Sequence, residues 1–61
     1  MYCITLRKKR TTKRQYWTGS AWSNDQNERE RMGDIHRAYR QASGMRNKYE
    51  NETYAVEVQY V

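Results

Sequence analysis

A chain of 61 residues with twelve Lys or Arg against seven Asp or Glu, for a formal net charge of +5, has room for a single domain, 1–61, and buries only about 60% of the surface its unfolded form exposes. That leaves no space for linkers, a second domain or repeats, and a substrate pocket would cost a core the chain can hardly spare. The one cysteine, Cys3, excludes an internal disulfide and points to a reducing, cytoplasmic setting; the apolar part of MYCITLRKKR is too short for a secretory leader or a membrane span.

With no Phe, one Leu, two Ile and three Val, bulk must come from six Tyr, two Trp and three Met. Low hydropathy and 31% charged residues favour disorder, but the aromatic content and the periodicity of the apolar positions favour a folded domain. In MYCITLR, Tyr2, Ile4 and Leu6 alternate with Cys3, Thr5 and Arg7, which predicts a strand with one buried face. KKRTTK lacks Gly, Asn and Pro, so it reads as a longer, mobile hairpin loop rather than a two-residue turn. RQYWTGSAWS resumes the strand pattern over Arg14 to Thr18, breaks at Gly19, and runs briefly extended again at Ala21 and Trp22, with Trp22 folding back to cap the core.

The helical region covers 24–50. A short turn is expected over 24–31, opened by Ser23, Asn24 or Asp25, and a main helix over 34–49 with Asp34 as N-cap. Met32, Ile35, Ala38, Tyr39, Ala42, Met45 and Tyr49 recur every three or four residues, giving one apolar stripe. Gly33 and Gly44 each cost about 1 kcal/mol inside a helix, so either could mark a break. ETYAVEVQYV, 53–61, alternates Tyr54, Val56, Val58 and Tyr60 against Ala55, Glu57 and Gln59. The order is ββαβ: an α+β fold, a small antiparallel sheet with one main helix on one face. Ile35, Tyr39, Ala42 and Met45 are expected to meet Tyr2, Ile4, Leu6, Val56, Val58 and Tyr60.

The charge is uneven. Arg7, Lys8, Lys9, Arg10, Lys13 and Arg14 put +6 into the hairpin tip, 7–14, while the rest of the chain, with six Lys or Arg against seven acids, is −1. Phosphates neutralised by such cations release counterions, a sequence-independent source of affinity for nucleic acid, and a two-stranded ribbon can enter a groove. Tyr16 and Trp17 beside the tip are candidates for stacking on bases or contacting a partner. The plainer alternatives are a solubilising tip that protects a sheet edge, or a localisation signal. Tyr16 and Trp17 fall on opposite faces, so only one of them lies on the helix side.

His36 lacks neighbours at metal-ligand or general-base spacing, and Cys3 has no activating base in sequence. No phosphate-cradling glycine loop, zinc spacing or nucleophile elbow occurs. The expectation is a non-enzymatic protein with no cofactor, no metal, no small-molecule substrate and no membrane partner.

YWTGSAWS, followed by a helix and the closing YAVEVQYV, resembles the layout of small phage-encoded accessory or early-region proteins: hairpin, aromatic-Thr-Gly-x-x-Trp-Ser/Thr segment, helix, Val-rich last strand. The resemblance implies a protein of the host-cell cytoplasm that acts by binding a host protein or nucleic acid; it carries over no catalytic residues, and Tyr16, Trp17, Gly19 and Trp22 look structural in it. Two functions follow as expectations. One is electrostatic binding of nucleic acid through the basic tip; the other is modulation of a host protein, an acidic one steered by the tip, through an aromatic patch or sheet edge. A homodimer through a free edge is compatible with both.

Overall fold

In the computed structural model, which describes residues 1–61, the alternation at the amino end forms β1 (Tyr2–Lys8), and the chain returns as β2 (Arg14–Trp17) and a two-residue β3 (Trp22–Ser23). A 3-10 turn (Gln26–Glu28) and a single α-helix, α1 (Ile35–Tyr49), precede β4 (Tyr54–Tyr60). The fold is α+β, with a four-stranded antiparallel sheet in the order β3-β2-β1-β4. Central β1 pairs with β4 from Tyr2↔Tyr60 to Lys8↔Tyr54, whereas β2 pairs only with its second half, Thr5↔Tyr16 to Arg7↔Arg14. Where β2 diverges, the chain before the helix takes its place: Tyr2 and Met32 exchange two backbone hydrogen bonds of 2.7 Å, and Glu30 N donates to the Trp17 carbonyl at 2.8 Å. Met32 is thereby carried into the core.

Cross-strand partners share a face of the sheet. Ile4, Leu6 and Val56 meet Ala38, Ala42 and Met45 of α1 on one side, ringed by Tyr2, Trp17, Trp22, Tyr49, Tyr54 and Val58. Ile35 and Tyr39, expected in this core, are instead 37% and 50% exposed. The two alanines let the helix lie close to the strands along a narrow line, and a residue one position beyond Ala38 is turned about 100° away from it. Tyr60 rests edge-on against Tyr2, with ring centroids 5.4 Å apart, but is 78% exposed at the end of an outer strand.

Local chemistry sets the boundaries. Asp34 caps α1 by accepting from His36 N at 2.9 Å, and Arg46 and Lys48 occupy its last turn, where cations suit the helix dipole. Gly19, at φ 105°, shapes the Thr18–Ala21 turn, and a Cβ there would lie 2.5 Å from Glu30 Oε2. The turn brings Trp17 against Trp22 at 5.2 Å, and Trp22 against Tyr49 at 5.4 Å, so the Trp-Thr-Gly-x-x-Trp segment builds one flank of the core. Gly33 precedes the helix, while Gly44 lies within it and does not break it. A Cβ at Gly44 would meet nothing within 4 Å, so Gly44→Ala should stabilise the protein by about 1 kcal/mol, seen as a rise of roughly 4–8 °C in the thermal midpoint.

Candidate nucleic-acid interface

The hairpin tip is built by its own threonine. Thr11 Oγ1 donates to the Lys8 carbonyl at 2.8 Å and accepts from Lys13 N at 3.2 Å, closing the loop with the Lys8 N to Lys13 carbonyl bond of 3.1 Å. Lys9 N donates to the Thr53 carbonyl at 2.8 Å, tying the tip to the turn before β4. Arg10 takes φ 68°, a left-handed conformation costing a residue with a Cβ roughly 1–2 kcal/mol. It is the one non-glycine residue of the chain in that region.

The six basic residues divide into two groups. Arg7 and Arg14 face each other across β1 and β2, on the side of the sheet away from α1, and both reach Glu57: Arg7 Nε donates to Oε1 at 2.9 Å and Arg14 Nη1 to the same oxygen at 2.8 Å. Arg14 Nη1 also donates to Thr5 Oγ1 at 3.1 Å, satisfying a fully buried hydroxyl. These two arginines are committed to holding the sheet together. Lys8, Lys9, Arg10 and Lys13 are exposed and none meets a carboxylate at ion-pair distance, although Glu52 lines the same shallow depression as Lys9 and Arg10.

The Arg7 hydrogen bond, followed by that of Arg14, holds the Glu57 carboxyl below its ordinary value of 4.5 against an opposing effect of burial. The folded state therefore keeps this group ionised at a pH where the unfolded chain protonates it. Its contribution to stability is complete above the unfolded pKa and is lost as pH falls through the lower folded value. The thermal midpoint should decline below about pH 4.5, and in Glu57→Gln, itself destabilised by about 1 kcal/mol at pH 7, that decline should be shallower.

Of the two aromatic candidates, Tyr16 lies on the far face, lining an open depression of about 330 Å³ with Cys3, Thr5, Arg14, Arg29 and Gln59. Trp17 is on the helix side, half-buried against the core with its indole N–H shielded from solvent. Cys3 faces the depression but is only 2% exposed, and burial pushes its thiol pKa up despite the nearby Arg29 and Arg14. His36 lies exposed on the first turn of α1.

A second basic surface lies on α1. Between Asp34 and Glu50 the helix holds Arg37, Arg40, Arg46 and Lys48 and no acid. Arg46 turns inward to the Val56 carbonyl at 3.4 Å, while Arg37, Arg40 and Lys48 are exposed. The absence of any Asp or Glu over these fifteen residues is the signal for it in the sequence, masked in the net charge by the acids on either side of the helix. Comparison of the chain with family models, curated proteins and solved structures finds no match to any of them.

Proposed function

We propose that the protein binds nucleic acid electrostatically, as a non-enzymatic accessory protein, with Lys8, Lys9, Arg10 and Lys13 as the phosphate-binding group. What carries this reading is that four cations, Lys8 at the end of β1 and Lys9, Arg10 and Lys13 in the hydrogen-bonded loop after it, are exposed without a carboxylate at ion-pair distance, while Arg7 and Arg14 brace the strands beneath. A left-handed Arg10, where glycine would be less strained, fits a position occupied for its charge. Tyr16 lines the far-face depression with Arg14 and Arg29 rather than with the four tip cations, and docking on this reading is to the backbone and indifferent to sequence.

The test is a titration of a fluorescent duplex across a salt series. Four phosphate contacts give a slope of log K against log salt of about −3.6, hence a loss of roughly a hundredfold in affinity between 50 and 200 mM. A slope near −6 would mean that Arg37, Arg40 and Lys48 of the helix also engage. A tip that serves only solubility gives no binding at 50 mM salt, and a salt-independent complex would also count against this function.

A further inference from the structure

We propose that two copies of the chain associate through the open half of the β4 edge, Val58–Tyr60, as an antiparallel pair with its two-fold axis beside Gln59. The proposal stands apart from the nucleic-acid reading and uses none of the tip's cations.

β4 is an outer strand of seven residues, whereas the opposite edge, β3, has two. Its backbone alternates: Val61 N donates inward to the Met1 carbonyl, so the even-numbered residues turn their N–H and C=O groups outward. The first half of that edge is already occupied. Tyr54 bonds through both backbone groups to Asn51. Val56 N donates to Glu50 Oε1 at 3.1 Å, and the Val56 carbonyl accepts from Arg46 Nε at 3.4 Å. No such cap reaches Val58 or Tyr60. They are left with two donors and two acceptors, the row of groups on which another strand can pair.

This open row is complementary to itself. With the axis beside Gln59, Val58 pairs with Tyr60 of the second copy and Tyr60 with its Val58, giving four backbone hydrogen bonds. Gln59 then faces Gln59, and Glu57 faces Val61, so no like-charged side chains are opposed. Centring the pair on Val58 instead would bring Tyr60 against Val56 and displace both Glu50 and Arg46. Centring it on Glu57 would set two carboxylates face to face. The side chains of Val58 to Val61 carry no charge on a chain of net +5, and none of the usual edge protections, lysine, proline or a bulge, falls there. Tyr60 and Val61 are 78% and 38% exposed. Because α1 runs antiparallel to β4, exposed Ile35 and Tyr39, on its first turns, lie toward the same end of the sheet. A ladder this short is smaller than a standard interface of about 1,200–2,000 Å², so a weak, concentration-dependent dimer is the form it takes.

Sedimentation equilibrium of the full chain, free of nucleic acid, over roughly 1 µM to 1 mM tests the proposal. The mass should rise from one chain to two, and added salt should leave the dimer unchanged or strengthen it, since it screens the repulsion between cationic protomers. Tyr60→Pro removes an outward N–H that the monomer does not use; it should weaken dimerisation at least tenfold while circular dichroism stays that of the folded chain. Gln59→Cys, made with Cys3→Ala because Cys3 is its cross-strand neighbour, should oxidise to an interchain disulfide, since facing Cα atoms in such a non-hydrogen-bonded pair lie about 4.5 Å apart. A mass of one chain throughout, or a dimer that Tyr60→Pro leaves intact and Gln59→Cys does not cross-link, would overturn it.

Discussion

Replacing Lys8, Lys9, Arg10 and Lys13 together with glutamate should reduce duplex binding at 50 mM salt at least a hundredfold while leaving the protein folded. The four side chains are exposed and form no ion pair, so their reversal breaks no salt bridge and places no charge in the core. Each reversal changes charge by two, taking the chain from +5 to −3, which turns long-range attraction to phosphate into repulsion. Two companion variants separate charge at this site from charge in general. Arg37, Arg40 and Lys48 changed to glutamate should leave affinity within about threefold once the lowered net charge is screened by moderate salt. Arg7→Gln with Arg14→Gln should instead lower stability, because Glu57 and the Thr5 hydroxyl lose their donors. The readouts are fluorescence anisotropy for binding and thermal denaturation for the fold.

Ile4→Ala should come close to unfolding the protein. Ile4 is fully buried at the centre of the core, and truncating such a side chain costs about 2–5 kcal/mol. A chain of this length has about 3–9 kcal/mol to lose, so the urea midpoint should drop by half or more. Tyr39→Ala is the matched contrast: its ring is 50% exposed, and the expected change is within about 0.5 kcal/mol. Equal effects of the two substitutions would mean that α1 is rotated from the position described.

The difference between those two residues marks where sequence patterning stops being informative. Alternation in MYCITLR and YAVEVQYV defines both long strands and the face each turns inward, because period two is a local property. Asp34 as N-cap is similarly local. The width of the helix stripe is not: whether Tyr39 is covered depends on how closely Ala38 and Ala42 seat the helix, which spacing alone does not report. The basic tip was legible as a cluster, but its division was hidden. Glu57, which withdraws Arg7 and Arg14 from it, lies fifty and forty-three positions away along the chain and reaches them only because β4 pairs beside β1. Cys3 and Thr5 do lie on the outer face, as alternation predicts, yet are nearly inaccessible since Gln26 and Arg29 lie against that side of the sheet, which alternation does not report.

The central claim is that phosphate is gripped at the hairpin tip, and a residue-resolved titration addresses it most directly. Amide resonances of the ¹⁵N-labelled protein should be followed as a short duplex is added at low salt. Shifts concentrated at Lys8 to Lys13, extending to Thr53 through its bond with Lys9 and reversed by added salt, are the expected result. Shifts centred on Arg37 to Lys48 or on Val58 to Tyr60 with the tip unchanged, or no shifts at all, would contradict it.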